Sequence, residues 1–185
     1  MKKVVLTFGL LGGLIISGLV WGTATLVDRG VIGFDRLEIV GYSSMIIALS
    51  MVFFGIKSYR DNYAEGRLRF WKGVQVGMLI SVIAGILYWG GAVSYGLANP
   101  GFDERFMQKF TELKVGKLQQ QGAPQEKIDS AKAEVDMMAG LFKSPILFFL
   151  ICMMEILPVG LVVTLISAGL LRRKELLPAA ASEAK

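Results

Sequence analysis

Glu155 stands inside an otherwise uncharged stretch, ICMMEILPVGLVV, that runs from Ile151 to Val163. An ionised carboxylate deep in hydrocarbon costs several kcal/mol, so it requires a donor, a wet crevice or a proton. Pro158, one turn on, has no backbone N–H and leaves the carbonyl of Met154 without its helical partner. Counting a helical rise of about 1.5 Å per residue back from Leu171 sets Glu155 about 24 Å along its helix. The same count brings Trp21, Ser44, Ala48, Tyr88 and Trp89 to that level. Tyr88 and the two indole N–H groups are the donors there, and no Lys or Arg lies at that depth, so no salt bridge within the chain is expected. Glu155, Pro158, Tyr88 and Trp89 therefore form the candidate intramembrane site. Three uses stay open: a hydrogen-bonded clasp beside a kinked helix, a proton or cation site at the floor of an outward-facing crevice, and a contact with another protein.

Other chemistry is thin. The chain has no histidine and one cysteine, Cys152. That excludes metal sites built on His or paired Cys, Ser-His triads and Cys-His dyads, together with any disulfide within one chain. Cys152 reads as an apolar filler. No cofactor or metal is expected. Gln75, Ser43, Ser50, Ser81 and Thr164 are expected to hydrogen-bond inside a bundle, since enzymatic chemistry would want a second titratable group near Glu155.

The elements that must position these residues are four apolar runs, Val4–Val27, Ile39–Ile56, Gly73–Ala98 and Ile146–Leu171. Each reaches the roughly 18 residues needed to cross a bilayer core. With 54% hydrophobic residues in 185, little is left for a separate soluble catalytic domain. The expected class is all-α: a polytopic membrane protein with four transmembrane helices, one domain over residues 1–185, and an external helical segment at about 99–144. Lys2 and Lys3 followed by Gly22-Thr23-Ala24 weakly resemble a signal peptide, but an apolar stretch of about 24 residues is too long for one. A retained first helix is expected.

Charge sets the orientation, because Lys and Arg concentrate on the cytoplasmic side. The loop KSYRDNYAEGRLRFWK carries Lys57, Arg60, Arg67, Arg69 and Lys72 against Asp61 and Glu65, a net of +3. Lys2 and Lys3 at one terminus and Arg172, Arg173 and Lys174 near the other fall on the same side of a four-helix serpentine. DRGVIGFDRLE nets −1, and Asn99–Ser144 balances seven basic against seven acidic residues. Both termini are expected in the cytoplasm. The aromatics among the basic residues, Tyr59, Tyr63, Phe70 and Trp71, suit a membrane interface and headgroup contact. Specific recognition of anionic lipid is a sharper reading, and no nucleic acid is expected as a partner.

Asn99-Pro100-Gly101 breaks the third run. Beyond it Phe102, Phe106, Phe110 and Leu113 recur at helical spacing, and QQQGAP supplies a turn before a second arm with Ile128, Val135, Met138 and Leu141 near one face. The apolar stripe of this expected hairpin must be covered by the other arm, by lipid or by a partner.

The odd-numbered runs resemble each other. GLLGGLIISGLVWG (Gly9–Gly22) and GMLISVIAGILYWG (Gly77–Gly90) share six of fourteen positions, as a parallel repeat of two hairpins would. Small residues every four positions, Gly9, Gly13, Ser17 and Gly73, Gly77, Ser81, Gly85, let helices approach closely where lipid supplies no hydrophobic drive. Gly160, Thr164 and Ala168 continue the pattern in the fourth run. A tight bundle is expected, with one ladder available for self-association.

FFGIKSYRDN at Phe53–Asn62, and Glu155 followed by PVG and TLISAGLLRRK, resemble a bacterial four-helix membrane family catalogued as domain of unknown function 4199. The resemblance spans Gly9 to about Lys174 and implies a bacterial inner-membrane location with four helices, but no activity. The functional expectation is a non-enzymatic accessory or scaffolding bundle. Its partners are the lipid bilayer and either further copies of itself or a larger inner-membrane complex. The alternative is a small transporter or channel using Glu155 as a protonatable site.

Overall fold

A computed structural model of the protein describes Met1–Arg172; Arg173 and Lys174, counted among the basic flanks, lie outside the described residues. The chain forms α1 (Lys2–Asp28), a 3-10 turn (Phe34–Arg36), α2 (Leu37–Tyr63), α3 (Phe70–Ala98), α4 (Phe102–Gln120), α5 (Gln125–Lys143) and α6 (Pro145–Arg172). Among the described residues there is no strand. Four helices, α1, α2, α3 and α6, are long and apolar enough to cross a membrane.

Helix ends follow local chemistry rather than the end of each apolar run. α2 continues seven residues past Ile56, because nothing between Lys57 and Asn62 breaks a helix. The first breaks are Glu65 and Gly66, with φ of 48° and 73°. Lys57 and Arg60, expected in a loop, are therefore helical, and Lys72 lies in the first turn of α3. Asn99-Pro100-Gly101 does end α3, with Gly101 at φ 78°. Pro158 does not end α6, which runs unbroken from Pro145 to Arg172.

The four long helices pack as a rhombus. α2 and α3 form the short diagonal, and α1 and α6 take the far corners, each against both. Leu49, Val52 and Ile56 of α2 meet Val76, Ile80 and Ala84 of α3 in the core, all at most 1% exposed. The small-residue ladders set the two tightest seams. Along α1, Gly9 faces Ile83, Gly13 faces Leu87 and Ser17 faces Gly91, so α1 and α3 run parallel in constant register. Along α3, Gly73 meets Ala168, Gly77 meets Thr164, Ser81 meets Gly160 and Gly85 meets Ile156. Each step of four up α3 is matched by four down α6, the signature of an antiparallel seam. A Cβ on Gly77 would come within 2.6 Å of the Thr164 side chain. Close approach of this kind replaces the hydrophobic drive that water supplies to soluble bundles.

α4 leaves the end of the bundle where α1 and α3 finish. Its aromatic stripe faces the bundle: Phe102 lies edge-on to Tyr95 at 4.8 Å, and Phe106 lies 4.9 Å from Phe34. Arg105 ties the helix to the end of α1, donating from Nε and Nη2 to the two carboxylate oxygens of Asp28, each at 3.1 Å. α5 returns along α4 after Gly122, at φ 64°, and buries Ile128, Ala131 and Val135. Lys114 and Glu134 join the two helices at 2.7 Å.

Candidate functional site

Tyr88 on α3 and Glu155 on α6 meet across the antiparallel seam, where the ladder continues past Gly85 and Ile156. The Tyr88 hydroxyl donates to Oε2 of Glu155 at 2.8 Å. This contact joins two of the four residues singled out by depth. Trp89 is not part of it. Successive residues on a helix point about 100° apart, so Tyr88 and Trp89 cannot both face one carboxyl. The Trp89 ring instead stands edge-on to Phe149, 5.6 Å away, and its indole N–H has no hydrogen-bond partner among the described residues. Trp21 also turns away from Glu155. Its indole donates to the carbonyl of Gly91 at 3.1 Å and to the Ser94 hydroxyl at 3.0 Å, locking the α1–α3 seam.

Glu155 is exposed within the structure, and cavities adjoin it on both sides. A cleft of about 1050 Å³ runs between α2, α4 and α6, with Tyr88, Glu155 and Pro158 on one wall. A smaller cavity of about 200 Å³ places Glu155 and Tyr88 against Phe102, Phe106, Phe142 and Phe148. Counting only along the four apolar runs found no cation at this level. Lys114 and Lys117 of α4 line the same large cleft. Among the described residues neither forms an ion pair with Glu155, and Lys114 is held by Glu134. The arrangement can hold a carboxyl in a defined place, and it leaves that carboxyl open to a molecule entering the cleft. Nearby on α4, the hydrogen-bonded carboxylate of Asp28 holds the Arg105 guanidinium above its ordinary value.

The opposite end of the bundle carries the basic residues, and the structure divides them. Arg67, Arg69 and Lys72 are exposed and Lys57 is half-buried, but Arg60 is only 1% exposed. Its Nε donates to Oδ1 of Asp61 at 2.7 Å, and its Nη1 reaches the carbonyl of Leu171 at 3.5 Å. Arg60 thus ties α2 to the last described turn of α6. The sequence held a signal for this. Leu49, Val52, Ile56 and Arg60 are spaced three, four and four residues apart, so Arg60 continues the buried face of α2. Beside it, Arg69 at the N-cap of α3, Phe70, Trp71, Lys72 and Gln75 of α3, and Arg172 of α6 line a groove of about 580 Å³. Lys72 donates to Oε1 of Gln75 at 3.1 Å.

Among the described residues, no group of three or more His, Cys, Asp or Glu side chains could hold a metal ion. Cys152 is buried and unpaired. No curated protein and no solved structure matches the chain. One family model does match, over residues 7–173, a span that takes in Tyr88, Glu155, Pro158 and the basic end alike. The chain accordingly belongs to the family described as protein of unknown function (DUF4199).

Proposed function

We propose that the protein is a small non-enzymatic integral protein of the bacterial inner membrane, an accessory or scaffolding bundle with both termini in the cytoplasm and α4 and α5 outside. Support comes chiefly from where the packing chemistry is placed. Both small-residue ladders are consumed in seams through α3, which favours a rigid bundle over a moving one. The outer face of α6 stays open, with Ile146 at 72% and Met154 at 76% exposure. Lipid or a partner helix can cover that face, and the ladders inside the bundle are not available for self-association. The bacterial location carries over from the sequence resemblance. Purification from native membranes in mild detergent, with mass spectrometry of the intact assembly, tests the reading. A stoichiometric second protein supports an accessory subunit, and a bare single chain counts against it.

One observation favours a second reading. Glu155 and Tyr88 open on the large cleft with Lys114 and Lys117 opposite, as a protonatable site of a small transporter or channel would. Under that reading Glu155→Gln abolishes flux in liposomes while the fold survives. Under the first, Glu155→Gln leaves assembly and function intact.

A further inference from the structure

We propose that the groove between the start of α3 and the end of α6 binds the phosphate of an anionic phospholipid. Arg69 at the N-cap of α3 and Lys72 in its first turn line it on one side, and Arg172 of α6 lines it on the other. Among the described residues none of the three forms an ion pair, although Arg60 a short distance away is paired with Asp61. Among the described residues three cations line the groove and no carboxylate does, a setting that suits an anionic headgroup. The first turn of α3 adds to the field, since backbone N–H groups at a helix start lack acceptors within the helix.

The seam places these charges together. Gly73 packs on Ala168 and so brings the two helix ends side by side. Arg60 reaches the carbonyl of Leu171, the residue before Arg172. Trp71 is 77% exposed at the groove's edge, where an indole suits the headgroup level of a bilayer. A lipid is thereby preferred over a free phosphate, because charge and aromatic lie together at the end of an apolar span.

The proposal rests on the membrane placement given above, and the test separates the two. Wild-type protein is exchanged into nanodiscs holding equal phosphatidylglycerol and phosphatidylethanolamine, and the lipid retained on release is read by native mass spectrometry. Retention of phosphatidylglycerol over phosphatidylethanolamine is expected. Arg69→Gln with Lys72→Gln should weaken that preference roughly 25-fold, from about 1 kcal/mol for each cation at a membrane surface. Arg67→Gln, outside the groove, should leave it unchanged. Millimolar inorganic phosphate should not displace the lipid, and displacement would overturn the lipid in favour of free phosphate. Equal retention of the two lipids by wild-type protein overturns the site, whether or not the double variant folds. A protein that is extracted without detergent overturns the membrane placement itself.

Discussion

The hydroxyl of Tyr88 and Oε2 of Glu155 lie 2.8 Å apart across the α3–α6 seam, next to the contact of Gly85 with Ile156. The bond gives an exposed carboxyl a fixed address and joins the two helices between the Gly85–Ile156 contact and the Trp89–Phe149 ring pair. Tyr88→Phe removes the donor and keeps the ring. It should lower stability by about 1 kcal/mol, in the range of hydrogen bonds between membrane helices. Glu155→Gln keeps an acceptor oxygen for Tyr88 and should change stability by less than half that amount. Unfolding midpoints in a single detergent compare the two. Equal losses would mean that the contact does not hold the seam.

The α3–α6 seam makes a sharper demand. Gly77→Ala places a methyl group within 2.6 Å of Thr164, which is buried and has no room to retreat. Overpacking of this kind costs about 1–3 kcal/mol. Gly18 has nothing within 4 Å of the same position. Gly18→Ala should therefore be neutral or stabilising by about 0.5–1 kcal/mol, the usual helix preference for alanine. Thermal denaturation of the two variants should move in opposite directions, and matching shifts would argue against this register.

What the sequence disclosed and what it hid divide along a physical line. Spans, turns and ladders are one-dimensional signals, so Gly77 and Gly85 announce close packing wherever the partner helix lies. Depth along a helix is equally legible, and it brought Tyr88 and Glu155 to one level. Azimuth is not, which is why Trp89 stood beside Tyr88 on paper and faces Phe149 in the fold. Long-range placement is hidden as well. Nothing in the run of α4 says that Lys114 and Lys117 line the same cleft as Glu155, or that Arg105 seeks Asp28. Arg60 is the intermediate case: charge marked it as surface, while its spacing from Val52 and Ile56 marked it as core.

Arg60 should therefore behave unlike its basic neighbours. Arg60→Ala strands Asp61 and opens the end of α6. The loss should be about 3 kcal/mol, the lower end for breaking a buried pair, since Asp61 keeps some exposure. Arg60→Lys should recover only part of this, because an ammonium cannot reproduce the planar fork that reaches both Asp61 and Leu171. Lys57→Ala, at the first residue of the same helical extension and half-buried, should be nearly silent. Chemical unfolding of the three variants checks the order.

The Asp28–Arg105 pair should govern the motion of α4 more than the stability of the whole. Both side chains are partly exposed, at 26% and 47%, and solvent screens such a pair. No residue of α4 is buried, however, so few contacts replace the lost tether. Asp28→Asn should speed hydrogen exchange in Phe102–Gln120 and leave exchange in the core of α2 unchanged. Exchange that rises equally in both helices would show that α4 is integral to the bundle rather than tied onto its end.

Topology can be read with the chain's own cysteine as a silent background. Cys152 is 2% exposed on the buried side of α6, so it should not react with a bulky maleimide in folded protein. Two exposed positions then report the two ends of the bundle. Lys117→Cys lies on α4, and Arg67→Cys lies in the turn between α2 and α3. If both termini are cytoplasmic, as proposed, an impermeant maleimide added to spheroplasts should label Lys117→Cys at once. Arg67→Cys should label only after the membrane is opened. The reverse pattern would turn the bundle over and move the Arg69–Lys72–Arg172 groove to the outer leaflet. Labelling of both in closed spheroplasts would mean that α2 and α3 do not cross.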